Sequence, residues 1–331
     1  MRGLSNARVE SIRVAVLGAG AVGCFYGGML ARAGHEVTLI GRPTHVDAFG
    51  SSGLHFEGLK FDECIPVKAS TEPSAVRGAR LVLFCVKSTD TETAAAQIAP
   101  HLDAEAIVLN LQNGVDNTGR IAAQIKRAVI PAVVYVATEM AGPGHLKHHG
   151  RGDLAIGSVE DPAPPGLSES LKKVQRWFVD AGVPVVISDN VQGELWDKLA
   201  VNCAYNAISA IGQTTYGKMV ESVGVLKVMH DATAEVLAVA KACGVRMAPD
   251  TLARVPRIAQ AMATQRSSTA QDLARRRPSE IDHLNGYIVR QGDAHGIPVP
   301  VNRTLYALVK LVEATQRASA DGVAPSGTPA Y

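Results

Sequence analysis

At 331 residues and roughly 150 residues per domain, the chain has room for about two domains. Hydrophobic residues make up 47% and charged residues 19%, which excludes a disordered chain. The balance of 33 basic against 31 acidic residues gives no field for nucleic acid or a membrane surface.

The opening MRGLSNARVE has no apolar core of a secretory signal. Residues 12–17 (IRVAVL) predict a strand, 21–33 a helix ended near Gly34, and 36–41 a second strand. The stretch from Leu54 to Pro66 predicts a hairpin, and 144–157 a second one. Further apolar runs at 81–86, 106–111, 129–137 and 183–188 predict strands, with helices between several of them, including 88–99 and 115–127. Buried strands alternating with helices point to a Rossmann-type, doubly wound α/β sheet. After Ser188 the pattern turns helical, over about 191–211, 218–243, 250–265, 279–295 and 302–316. The expected division is therefore an α/β domain over 1–189 and an all-helical domain over 190–331, with 318–331 a loose tail. Val14–Ala31 and Leu199–Gly217 carry no charge, but five glycines break the first and Asn202, Asn206 and Gln213 the second. Both read as buried elements of a soluble fold rather than membrane spans.

Gly18-Ala19-Gly20-Ala21-Val22-Gly23 is a G-x-G-x-x-G sequence between a strand and a helix. In that setting it suits a dinucleotide: a tight turn, close backbone approach to a pyrophosphate, and a helix N-terminus facing the phosphates. An NAD-binding unit usually carries Asp or Glu at the end of the second strand, where this chain has Ile40-Gly41-Arg42. A guanidinium there pairs with a 2′-phosphate, so NADP(H) is the expected cofactor. Lys87 and Asn113 follow the strands at 81–86 and 106–111, the ends that face a cofactor crevice; taken alone, the two read better as a loop Lys and a turn Asn-Gly.

In the helical half, ten of the fourteen residues from Leu195 to Ile208 are apolar or aromatic, yet Glu194, Lys198, Asn202 and Asn206 recur every four residues. A stripe of one amine and two neutral amides on an otherwise apolar helix suits a cleft wall better than a solvated face. An ammonium stabilises the charge that develops on a carbonyl oxygen during hydride addition and then donates the proton. Asparagines hold a substrate without disturbing the charge balance. Pro278 and Ser279 suit a helix start, which places Glu280 in its first turn; helix-dipole stabilisation would account for that carboxylate equally well.

With GAGAVG, the VK after the fourth strand, QNG, ELWDKLAVNCAYN, Ser267-Ser268 and SEIDHLNG in this order, nearly the whole chain resembles the ketopantoate reductase (2-dehydropantoate 2-reductase) family. The resemblance implies a Rossmann domain and a helical domain with the substrate bound between them. It implies reduction of 2-dehydropantoate to (R)-pantoate with NADPH, on the route to pantothenate and coenzyme A. On it, Lys198 is the proton donor, Asn202 and Asn206 are substrate-binding amides, and Ser268 is a hydroxyl for the substrate carboxylate. Glu280 contacts the substrate hydroxyl and the cofactor region, and Lys87 and Asn113 contact the cofactor. Two positions depart from the pattern: Tyr216 stands where some members have Asn, and Thr269-Ala270 where Met-Leu is expected. Both bear on which 2-oxoacid is taken.

The five cysteines, Cys24, Cys64, Cys85, Cys203 and Cys243, are scattered with no C-x-x-C pair, which suits reduced thiols in the cytoplasm. His145, His148 and His149 read as a surface or hairpin cluster rather than a metal site, and Arg275–Arg277 as a solvated helix end. The expected partner is a small 2-oxoacid, with no nucleic acid and no membrane; a homodimer is compatible with the sequence and not specified by it. A reductase of another 2-oxoacid is the alternative, as is an enzyme of the 3-hydroxyacid dehydrogenase class, although the glycine-rich motif that precedes the lysine in that class is missing here. A non-catalytic NADP-binding sensor has no need of Lys198, Asn202, Asn206 and Glu280 together.

Overall fold

A computed structural model describes residues 10–160 and 162–320. The chain forms two compact units, Met1–Val191 and Gln192–Tyr331. The first runs β1 (Arg13–Leu17), α1 (Ala21–Arg32), β2 (Glu36–Ile40), α2 (Pro43–Ser52), β3 (Leu54–Glu57), β4 (Asp62–Ile65), β5 (Lys68–Ser70), β6 (Leu81–Phe84), α3 (Thr91–Ile98), β7 (Ile107–Asn110), α4 (Asn117–Ile125), β8 (Ile130–Gly142), β9 (His145–Ile156), α5 (Leu167–Asp180) and β10 (Val185–Ile187).

These ten strands make one sheet in the order β4-β3-β9-β8-β7-β6-β1-β2-β5, with β10 on β9. Alternation along the central strands explains why helices cover both faces. Val14 and Val16 of β1 pack with the α1 residues Phe25, Tyr26 and Leu30. Ala15 and Leu17 pack instead with Ala95 and Ile98 of α3 and Ile121 of α4. Each such Leu, Ile or Phe, fully buried, contributes about 1.5–3 kcal/mol.

The doubly wound core is as expected, and so is the hairpin β3–β4. The region after it differs. β8 and β9 form one long antiparallel hairpin, so 144–157 is a single strand paired with the preceding one rather than a hairpin of its own. Gly144, at φ 70°, makes the reversal. Helix α2 and the edge strand β5 were not expected.

The second unit consists of α6 (Val191–Gly212), α7 (Tyr216–Val220), α8 (Val225–Ala242), α9 (Thr251–Arg254), α10 (Ile258–Ala261), α11 (Ser268–Ala274), α12 (Asn285–His295) and α13 (Pro300–Ala320). α6 is at its centre. Ala207 and Ala210 pack with Ala270, Leu273, Ile281, Leu305 and Val309, while Ala204 and Tyr205 pack with Met219, Met229, Val255 and Ala259. Buried amides tie the bundle: Asn285 Nδ2 donates to Cys203 O and Asn302 Oδ1, and Asn302 Nδ2 donates to Ala232 O.

Several helix limits are corrected. The helix expected over 218–243 is split before α8, where Gly224 adopts φ 81°. That over 250–265 breaks at the 3-10 turn Val255–Arg257, where Pro256 supplies no N–H donor. That over 279–295 is a 3-10 turn, Ile281–His283, followed by α12. The expected tail starts inside α13, and 321–331 lie outside the described residues. Among the described residues no helix is long and apolar enough to cross a membrane.

Candidate functional site

In the first unit, β1 ends at a turn that only glycine permits. Gly18 has φ 105°, and a Cβ on it would lie 2.6 Å from the Cys85 backbone. A Cβ on Gly23 would lie 2.2 Å from Gly18 O, so α1 packs directly on the turn. The N–H groups of Gly18 and Ala19 donate to Ile40 O at 2.9 and 3.1 Å, which holds the end of β2 against it. At Gly20, in contrast, a Cβ would meet nothing within 4 Å. This open ground lies at the start of α1, a helix with no side-chain cap and no acidic residue in its first turn. Unpaired N–H groups and the positive end of the helix dipole there suit a diphosphate. Ala21 and Val22 begin the helix, half-buried. Arg42 is exposed at the N-cap of α2, two residues beyond the carbonyl that anchors the turn.

Lys87 is half-buried after β6, and Asn113 follows β7. A buried amide joins the two loops. Asn117, with no exposed surface, donates from Nδ2 to Asn113 O at 2.6 Å and to Ser88 Oγ at 2.9 Å. Its Oδ1 accepts from Thr91 Oγ1 and Arg120 Nη1. Gln112 Nε2 adds bonds to Val86 O and Thr91 Oγ1, both at 2.9 Å. Sequence reasoning missed Asn117, Gln112 and Thr91. Their only signal is an excess of polar residues after a strand whose partners are otherwise apolar.

In the second unit, α6 sets Glu194, Lys198, Asn202 and Asn206 along one side. Lys198 and Asn202 are half-buried, and Asn206 is 4% exposed, so this is not a solvated face. The two serines that follow divide their work. Ser267 is buried: its Oγ caps α11 by accepting from Ala270 N and donates to Asn206 O at 3.1 Å. Ser268 is the exposed first residue of α11, beside that contact. Glu280 is half-buried and precedes the 3-10 turn, not the first turn of an α-helix as expected. Its neighbour Ile281 packs with Ala207 and Ala210, and further along Tyr287 meets Trp196 edge-on, with centroids 5.8 Å apart. The segment carrying Glu280 thus runs along the helix that carries Lys198 and the asparagines.

The departures from the family pattern lie in packed surroundings. Tyr216 is 8% exposed, with its ring 4.7 Å from that of Tyr205, and Thr269 and Ala270 are buried. Burial pushes the Cys24 thiol up to about 12 and that of Cys203 higher still, so both stay protonated at neutral pH. The histidines of β9 have separate partners: His145 stacks on His55 and meets Glu57, His148 meets Arg151 O, and His149 meets Glu139. No group of three or more His, Cys, Asp or Glu among the described residues could hold a metal ion.

Asp282 accepts from Tyr306 O–H at 2.6 Å and Lys310 Nζ at 2.8 Å. Burial works to raise its carboxyl, but these donors outweigh it and hold the group below its ordinary value. A depressed carboxyl contributes stability above its unfolded value, and that contribution is lost as pH falls through the folded one. Asp282→Asn is therefore expected to lower Tm by roughly 2–4 °C near neutral pH, for about 1 kcal/mol after solvent screening. The gap should close below the carboxylate range. Thermal melts of both proteins from neutral to acid pH check this; a gap constant with pH would contradict it.

The family description "Ketopantoate reductase PanE/ApbA" matches residues 14–161, and "Ketopantoate reductase PanE/ApbA C terminal" matches 190–313. The 2-dehydropantoate 2-reductase of Archaeoglobus fulgidus is 33% identical over 301 residues, covering 91% of this chain and 98% of its own. The crystal structure of a PanE/ApbA family ketopantoate reductase from Ralstonia eutropha JMP134 is 56% identical, with TM-score 0.87, over 92% of this chain and all of that one. D-mandelate dehydrogenase, solved with NADH and anilino(oxo)acetate, shares the fold at 24% identity and TM-score 0.86, over 92% of this chain and 100% of its own. With both units matched and relatives aligned nearly end to end, the chain belongs to the ketopantoate reductase family, oxidoreductases acting on CH–OH groups.

Proposed function

We propose that the protein reduces 2-dehydropantoate to (R)-pantoate with NADPH, in the supply of pantothenate and coenzyme A, and that it does so in the cytoplasm. The observation that carries this reading is the α6 stripe: an amine and two amides on a helix whose other sides are buried. A glycine turn with open ground at Gly20 fits the diphosphate of a nicotinamide dinucleotide, with Lys87 and Asn113 on the adjacent loops.

When bound, the cofactor supplies a hydride to the keto carbon. Lys198 stabilises the negative charge that grows on the keto oxygen and then gives it a proton. Asn202 and Asn206 orient the substrate by hydrogen bonds, Ser268 binds its carboxylate, and Glu280 accepts from its terminal hydroxyl. Arg42 would hold the 2′-phosphate of the cofactor.

The test is oxidation of NADPH or NADH by the purified protein with a panel of 2-oxoacids. NADPH with 2-dehydropantoate should be the best pair. A charge-assisted contact is worth about 1.5–3 kcal/mol, so Arg42→Ala should reduce the preference for NADPH by about 10- to 100-fold. Equal use of both cofactors by the parent would remove Arg42 from this role.

A further inference from the structure

One polar stripe is unused by the reaction described so far. Tyr306, Lys310 and Glu313 stand at i, i+4 and i+7 of α13, on one side of the helix. All three reach the segment that carries Glu280. Glu313, 5% exposed, accepts with Oε1 from Ser279 N at 2.8 Å and Ser279 Oγ at 2.7 Å. Lys310 Nζ joins Asp282 Oδ2 at 2.8 Å to Glu313 Oε2 at 3.2 Å. Tyr306 O–H donates to Asp282 Oδ1, and Arg290 Nη1 donates to Asp282 O at 2.8 Å. The residue before Glu280 and the second residue after it are thus both held by α13. The Glu280 carbonyl is itself tied to His283 N at 2.9 Å. The base of the stripe is fixed as well, because Asn302 donates to Ala232 O and Glu235 Oε2 on α8.

We propose that Glu313, Lys310 and Tyr306 are positioning residues that set the place of Glu280 for the reduction. This rests on the reading of Glu280 as a substrate-contacting carboxylate. If packing alone were at stake, an apolar residue at 313 would serve without the desolvation cost of a buried carboxylate. A buried charge held by three donors gives a fixed point instead, and reaction rates are sensitive to such placement. A displacement of about 1 Å at a reacting group can cost about 100-fold.

The experiment measures kcat and KM with NADPH and 2-dehydropantoate for the parent, Glu280→Gln, Tyr306→Phe, Lys310→Met, Glu313→Ala and Glu313→Gln. Each α13 variant is also combined with Glu280→Gln. Lys310→Met and Glu313→Ala should lower kcat by about 10- to 100-fold and Tyr306→Phe by several-fold, on the scale of a displaced reacting group. Glu313→Gln should restore most of the loss, since its amide oxygen still accepts from Ser279. In the Glu280→Gln background the same changes should cost nothing further, because they act through Glu280. If Glu313→Ala fails to fold, as judged by its thermal melt, Tyr306→Phe and Lys310→Met decide the matter. Additive losses in the double variants, or parent-like kcat in Tyr306→Phe and Lys310→Met, would overturn the inference alone. A parent-like Glu280→Gln would overturn the reading of Glu280 and this inference with it.

Discussion

Lys198→Ala is expected to lower kcat with 2-dehydropantoate by about 10²- to 10⁴-fold, the usual range for losing a positioned general acid. Lys198 lies well inside α6, half-buried between Glu194 and Asn202 one turn away on either side. Alanine is a better helix former than lysine, so α6 itself should persist. NADPH affinity, read by fluorescence titration, should also hold, because the glycine turn belongs to the other unit. Lys198→Arg separates the two parts of the role. Arginine keeps the positive charge beside the oxygen but gives up its proton poorly, so its kcat should fall between those of the parent and Lys198→Ala. A Lys198→Ala protein with near-parent kcat would remove this residue from the mechanism.

The nucleotide-binding core was legible because its constraints are local. The short apolar, β-branched run Val14–Leu17 and the spacing of Gly18, Gly20 and Gly23 are properties of a few consecutive residues, and the structure places them as those properties require. The β8–β9 hairpin was not legible, since its outer part, Thr138–Gly142 against His145–His148, mixes polar, small and apolar residues without the strict alternation that marks a strand. Helix breaks were underestimated for a related reason. Apolar spacing continues across Gly224 and across Leu284, while the backbone leaves the helix at both. At the site, the stripe on α6 stood out by its period of four. The groups that brace the segments beside other candidate residues did not: Asn117 and Glu313 are polar residues in buried places, and composition assigns such residues to the surface. Ser267 and Ser268 look alike in sequence, and only the cap on α11 distinguishes them.

Glu280 should decide the substrate. The protein is expected to reduce 2-dehydropantoate far better than 2-oxoisovalerate, which lacks the terminal hydroxyl. A site that accepts a hydrogen bond from that hydroxyl leaves its carboxylate unpaired when the hydroxyl is missing. Such sites discriminate by about 10⁴-fold, against only about 10- to 200-fold per methylene for an apolar pocket. Glu280 is half-buried, so water relieves part of that penalty and the discrimination expected here lies below about 10⁴-fold. Glu280→Ala should therefore harm 2-dehydropantoate much more than 2-oxoisovalerate, and the two values of kcat/KM should converge. Tyr216 gives the competing outcome its physical basis. Its phenol packs against Tyr205 where an amide stands in some relatives, which replaces a polar group by apolar volume one helix beyond Asn206. If the parent already prefers 2-oxoisovalerate, the hydride chemistry stands and the substrate is a less polar 2-oxoacid. Tyr216→Asn should then move the preference back toward 2-dehydropantoate.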